Sequence, residues 1–234
     1  DYILAQNAHL IVDADRFYPV GGINPRPPLF SWSLAIGAMI LQPFLGDDAV
    51  WWSMLALPAV YGALTILPVA SIARDHFGKA AGVIAAWLIA FMPAHVTHST
   101  WGLADHDSFV MLFIVLGFMF YLRAVKYAGS ERLVRNTSIR PLDLLRAMGA
   151  VAEQRKYAMS NAVLAGVAFA TASLGWKGFV VGPAILFLAY AAQVAINMFR
   201  RRDSTILSTL FLTMLLTNFL IALPFYAHPQ LNLV

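Results

Sequence analysis

The stretch Ser99-Thr100-Trp101-Gly102-Leu103-Ala104-Asp105-His106-Asp107-Ser108-Phe109 interrupts a chain that is otherwise strongly apolar. It separates the apolar run Ala80–Pro93 from the run Ser108–Leu122, and so places two carboxylates and an imidazole between hydrophobic segments. Around it, 60% of the 234 residues are hydrophobic and 12% are charged. An ordinary soluble domain carries about 25% charged residues. This is the composition of an integral membrane protein, and the polar cluster therefore belongs at the mouth of a membrane, not in a soluble core. No cysteine is present, which excludes disulfides and thiolate metal sites. No nucleic-acid partner is expected. The chain starts at Asp1 without a methionine or a signal-peptide pattern and stops at Val234 just after an apolar run. It reads as a piece of a longer chain, cut at both ends.

A helix needs about 20 apolar residues to cross the hydrocarbon core. Six runs qualify, roughly Val50–Ala73, Ala80–Val96, Ser108–Val125, Ala158–Trp176, Phe179–Met198 and Thr205–Leu223. Each is uncharged through its middle and bounded by charge, Gly or Pro. The second is short before Pro93, so it is expected to end near the surface. The fold class is thus all-α, a polytopic transmembrane bundle of about six spans. If the Asp-His-Asp loop is outside, the alternating loops place every Lys and Arg except Arg16, Arg26 and Lys177 inside, as the positive-inside rule requires. The acidic residues lean the other way, with Asp1, Asp13, Asp15, Asp47, Asp48, Asp105 and Asp107 outside. A crossing by Pro28–Leu45 would invert every later loop, so that run is assigned to the outer surface as an interfacial or re-entrant helix. The domain organisation is then an external segment 1–49, a bundle 50–225 with an acidic external loop at 99–108 and a basic inner loop at 126–157, and the start of a further external loop at 226–234. Within the basic loop, Pro141–Gln154 spaces Leu142, Leu145, Met148 and Ala152 as a helix lying on the inner leaflet would. A solvated positive-inside loop is the plainer reading of the same residues.

The external residues form a short set that includes Asp1, His9, His95, His98, Trp101, Asp105, His106, Asp107, Trp176, Lys177 and His228. Carboxylates from separate loops converging on one mouth suit a divalent cation such as Mg²⁺ or Mn²⁺, which prefers oxygen ligands. Such an ion would neutralise a phosphate-bearing leaving group. Asp105 and Asp107, two residues apart, cannot share one helical face, but in a bent loop both reach one ion. The plainer alternative is that one of them caps the helix beginning near Ser108. His95 and His98 lie one turn apart, a spacing that suits a metal but with no evident partner, and a polar span end is the plainer reading.

The order of these pieces resembles the catalytic subunit of the oligosaccharyltransferases in its single-subunit archaeal and bacterial form, a membrane glycosyltransferase of the GT-C class. The likeness is carried by Asp1-Tyr-Ile-Leu-Ala-Gln-Asn-Ala-His9, by Tyr18-Pro19-Val20-Gly21 with Pro28-Leu29-Phe30, by Tyr61–Ala70 leading to His76–Gly82, by Gly102-Leu-Ala-Asp-His-Asp107, and by Leu174-Gly-Trp-Lys-Gly-Phe179. Together these cover nearly the whole chain. The resemblance implies transfer of an oligosaccharide from a lipid-linked (poly)phosphate to asparagine of an acceptor polypeptide, dependent on Mn²⁺ or Mg²⁺, at the external face of the plasma membrane. It implies Asp1 and Asp105 as metal ligands and Asp107 as a third acidic position tied to metal or acceptor, all three catalytic. His98, His106, Trp176 and Lys177 follow as substrate-binding candidates. His98 stands where many relatives have Arg, and Lys177 replaces a turn glycine; it either meets a phosphate or snorkels to the surface. The family's later segments would lie beyond Val234, so this piece is expected to be inactive alone.

Three other readings compete. Another GT-C enzyme using a polyprenyl-phosphate sugar, for protein O-glycosylation or lipid glycosylation, would share the acidic loop. A transporter would carry ionisable residues or broken helices at membrane depth, and none of the six runs has Asp, Glu, Lys or Arg at its middle. A structural membrane subunit would use Asp105 and Asp107 only as caps.

Overall fold

The computed structural model describes residues 12–13, 21–23, 26–129, 149–150 and 153–226. Asp1, the Asp1–His9 segment and most of the Tyr18–Gly21 turn lie outside the described residues, as do most of the expected inner-leaflet helix Pro141–Gln154 and residues 227–234. The fold is helical, apart from a two-residue antiparallel pairing of Val12–Asp13 with Gly22–Ile23.

The helices are α1 (Leu29–Leu45), α2 (Ala49–Phe77), α3 (Lys79–Phe91), α4 (Pro93–Thr97), α5 (Asp107–Ala128), α6 (Lys156–Ser173), α7 (Val181–Phe199) and α8 (Thr205–Tyr226). Glycine and proline punctuate them. Gly46 and Gly78 follow α1 and α2 at φ +56° and +96°, a region only glycine enters without penalty. Met92 adopts φ −66°, ψ 118° ahead of Pro93, because the proline ring excludes the α region for its predecessor. The expected run Ala80–Val96 is therefore two helices, α3 and α4, with the break where Pro93 predicts it.

The helical bundle expected from sequence is present, and among the described residues four stretches stand out as candidate spans by length and apolarity, beside the six runs read from the sequence. Among the described residues, Leu29–Phe77, Asp107–Ala128, Lys177–Phe199 and Thr205–Tyr226 contain helices long and apolar enough to cross a membrane. Helix α3 has 13 residues, short of the roughly 20 a crossing needs. Helix α6 falls out for a different reason. It is less apolar, with Lys156, Ser160 and Asn161 in its first turns; its Ala158, Ala162, Ala165, Ala168, Ala170 and Ala172 are buried in close helix contact, while Val163, Leu164 and Val167 are exposed.

The described residues form two compact units. The first holds residues up to Phe113, Thr171–Gly178 and those from Ala222 onward; the second holds Ile114–Ala170 and Phe179–Ile221. In the first, α1 packs on α2 at Gly37, where a Cβ would lie 2.6 Å from both Ser53 Oγ and Leu57 Cδ1. Ser53 donates to Leu34 O at 2.6 Å across the same contact. Helices α2 and α3 close against each other at Gly82, where a Cβ would meet Arg74 Cβ at 2.8 Å and Ala70 O at 3.0 Å. Buried Pro58 and Pro68 interrupt the hydrogen-bond series of α2, which a membrane helix tolerates when neighbours satisfy the freed carbonyls. In the second unit, Phe169 is fully buried among Tyr121, Leu186, Phe211 and Met214. Gly117 and Gly182 admit its ring, which lies 2.7 Å and 2.9 Å from where their Cβ atoms would be.

Candidate functional site

The acidic loop is held from both ends and from below. His98 closes α4 at φ −90°, ψ −1°. Ser99 Oγ donates to His95 O at 2.7 Å, and His95 Nε2 lies 3.1 Å from Gly62 O on α2. Gly62 carries no side chain because Ser99 occupies that space. Gly102 sits at φ +93° and donates its N–H to Leu55 O at 3.2 Å. Trp101 meets Trp52 edge-on at 5.8 Å. These ties bend the chain back between α4 and α5, so Asp105 stays in the loop while Asp107 begins α5.

The bend gathers four polar side chains. His98 Nδ1 lies 2.8 Å from Asp107 Oδ2. His106 Nδ1 lies 2.7 Å from Asp105 Oδ1, and its Nε2 is 3.6 Å from Asp107 Oδ1. The backbone N–H of His106 also donates to Asp105 Oδ1 at 2.7 Å. Asp105 thus serves its immediate neighbour; the described bonds do not give it the amide two or three residues on that an N-cap takes. One ligand atom each from His98, Asp105 and Asp107 lies within 4.8 Å of the others. Two opposed ligands of a Mg²⁺-sized ion lie about 4.2 Å apart, so a small closure of the cluster would seat a cation. The side chains of Asp105 and Asp107 are 39% and 38% exposed, open enough for an ion to reach them. With both carboxylates deprotonated, the donor set carries two negative charges and one neutral nitrogen. It fits a divalent ion that accepts mixed oxygen and nitrogen ligands, with His106 orienting Asp105 as metal-site partners commonly do.

Aromatic rings wall the cluster. The His106 ring lies 5.9 Å from that of Trp176 and 6.3 Å from that of Phe30. Phe30 also meets Phe109 at 5.9 Å, and Tyr61 meets Phe109 at 5.2 Å. The two walls are tied together, since Leu29 N–H donates to Leu174 O at 2.8 Å and Tyr226 Oη donates to Ser173 O at 2.6 Å. Gly175 has no room for a side chain, because a Cβ would lie 2.8 Å from the Phe109 ring. The Trp176 indole covers the position a Cβ would take on Gly178.

Of the residues expected from sequence, His98, His106, Trp176, Asp105 and Asp107 come together. Lys177 lines a small depression with Arg26, Pro28, Leu174 and Tyr226. No described ion pair links it to either aspartate. Asp1 lies outside the described residues. His98, a substrate-binding candidate from the resemblance and a histidine at metal-compatible spacing in the sequence, stands here as the third residue of the candidate ligand group. Phe30 was not singled out as a wall; its signal was the Pro28-Leu29-Phe30 motif beside an otherwise unexplained turn.

Fold and site together define an integral membrane protein whose polar chemistry is concentrated in one loop between apolar helices. The family model described as Oligosaccharyl transferase STT3, N-terminal, matches residues 2–232, and the chain belongs to this family. It is 29% identical over 216 residues to Dolichyl-phosphooligosaccharide-protein glycotransferase 3 of Archaeoglobus fulgidus, covering 91% of this chain and 23% of the relative. It is 32% identical over 162 residues to Dolichyl-monophosphooligosaccharide--protein glycotransferase AglB of Haloferax volcanii, covering 67% of this chain and 14% of the relative. Among solved structures it matches AglB from Archaeoglobus fulgidus in complex with an inhibitory peptide and a dolichol-phosphate, with a TM-score of 0.76 at 25% identity over 96% of this chain and 24% of that one. The Archaeoglobus fulgidus oligosaccharyltransferase tethered with an acceptor peptide shares the fold, with a TM-score of 0.78 at 24% identity over 96% of this chain and 24% of that one. The chain spans about a quarter or less of the length of these relatives.

Proposed function

We propose that this chain is the membrane part of an enzyme that transfers an oligosaccharide from a lipid-linked phosphate donor to asparagine of an acceptor polypeptide, and that His98, Asp105 and Asp107, joined by Asp1, hold the required divalent cation. The observation that carries the reading is the meeting of His98, Asp105 and Asp107 ligand atoms within 4.8 Å. Family membership supports it, as do relatives named for dolichyl-linked donors.

Bound there, Mn²⁺ or Mg²⁺ would offset negative charge on the departing lipid phosphate. The rest falls to the chain. Asp105 and Asp107 supply anionic oxygens, and His98 supplies nitrogen once the proton it shares with Asp107 is displaced. His106 pins the Asp105 carboxylate by side chain and backbone alike, so that it is poised before substrate arrives. Phe30, Trp176 and Phe109 narrow the approach and lower the local dielectric, which strengthens each charge interaction in the cluster. Stripping divalent ions from the whole enzyme should abolish transfer, and Mn²⁺ should restore it better than Mg²⁺, because an imidazole is a poor partner for the harder ion. His98→Ala should narrow that preference. Full transfer in the presence of EDTA would sink the metal reading.

The site faces the external side of the plasma membrane in this proposal, on the strength of the basic loops that then fall inside. This chain contains no cysteine, so Thr100→Cys, at an exposed position, provides a clean probe. An impermeant maleimide should label it in intact cells. Labelling only after the membrane is opened would invert the topology.

A further inference from the structure

The second unit contains a cavity of about 550 Å³. It is lined by the last residues of α5, the last turns of α7, the α7–α8 connection and the first turns of α8. Its composition is divided. Arg201, Arg202, Gln193 and Asn197 bring donors, while Ile206, Leu207 and Leu210 bring an apolar wall.

The polar side is organised. Gln193 Nε2 donates to Asn197 Oδ1 at 2.9 Å, and Asn197 Nδ2 donates to Ser204 Oγ at 3.0 Å. The backbone of the connection caps α7 through Arg201 N–H to Met198 O at 3.1 Å and Arg202 N–H to Asn197 O at 2.8 Å. Arg201 stands at φ 52°, alone in this among the described non-glycine residues. That conformation is unfavourable for a side-chain-bearing residue, and it is held here in a residue that lines the cavity. Asp203, the one acid in the lining, is occupied: its Oδ1 accepts Thr205 N–H at 2.9 Å and Thr205 Oγ1–H at 2.6 Å, capping α8. Among the described ion pairs, neither Arg201 nor Arg202 has an acidic partner.

Two guanidinium groups with no described ion pair, over an apolar wall, match the two ends of an amphiphile. Guanidinium binds phosphate oxygens through paired N–H donors. A wall of Ile and Leu suits a hydrocarbon chain. We propose that this cavity binds a phosphate-headed membrane lipid, with Arg201 and Arg202 on the phosphate and Ile206 and Leu207 along the chain. This site is separate in residues and chemistry from the Asp105 cluster, and it holds a lipid as a structural ligand, with no role in transfer. A membrane lipid is favoured over a soluble phosphate because the same cavity offers the apolar wall, which a free anion would leave wet.

The test is native mass spectrometry and thermal unfolding of the whole protein in nanodiscs of phosphatidylglycerol or of phosphatidylcholine. Wild type should retain one phosphatidylglycerol per chain and unfold at a higher temperature in the anionic discs. Arg201→Gln with Arg202→Gln should weaken retention by about 25-fold, at roughly a factor of five per lost cation. Arg201→Lys with Arg202→Lys should keep most of it, which separates charge from any folding defect. Equal retention by the glutamine variant would overturn the proposal. So would inorganic phosphate in phosphatidylcholine discs raising the unfolding temperature as far as phosphatidylglycerol does, since that would make the ligand a free anion.

Discussion

Asp105→Asn should lower glycan transfer by the whole enzyme about 10²-fold or more, the scale at which a single preorganised charge contact counts in a reaction centre. The substitution keeps the shape of the side chain and leaves an Oδ1 to accept the His106 backbone N–H, now made at 2.7 Å. It removes only the negative charge that a divalent ion requires. Calorimetry should show Mn²⁺ uptake lost or much weakened, while helix content is unchanged, because this half-exposed carboxylate bonds nothing in the described chain except His106. Asp105→Ala should be as inactive. If the alanine variant transferred glycan at a near-normal rate, the cluster would be a turn-stabilising device and no more. If Asn were active and Ala inactive, the carboxylate would act by hydrogen bonding, and the cation would belong elsewhere.

Phe169→Ala should destabilise the bundle by about 3 kcal/mol, at the lower end of the range for emptying an aromatic site. The low end applies because lipid tails solvate apolar surface as well as a helix interface does, which leaves lost packing as the main term. Phe169 is fully buried. Its ring is clasped by Gly117 and Gly182 and meets Phe118 edge-on at 5.8 Å. No neighbouring glycine can extend to fill the void. Unfolding in mixed micelles measures the loss, and a value under about 1 kcal/mol would mean that the helices collapse onto the gap.

Much of the helix layout was legible in the chain. Pro93 sets the break after α3, since proline restricts its predecessor whatever surrounds it. Gly78 ends α2 where a positive φ is needed. The runs of apolar residues marked every helix, because backbone satisfaction in lipid permits little else. The count of spans was less legible. Hydrophobicity marks what can be buried but does not say whether lipid or another helix does the burying, and α6 presents both, a face of buried alanines and an exposed Val163, Leu164 and Val167. The site divided in the same way. Asp105 and Asp107 stood out as carboxylates in an apolar chain, and the likeness to a glycosyltransferase family named them.

What the sequence by itself determined was therefore the kind of molecule, the places where its helices form and the loop that holds its charge. These depend on local stereochemistry and on the solvent the chain must satisfy. Only the tertiary structure decided that His98 turns to Asp107 and that Phe30 and Trp176 close around His106 from distant parts of the chain. Such meetings depend on how Gly62 and Gly175 admit the side chains of Ser99 and Phe109, and close approach is a property of two segments at once, written in neither alone.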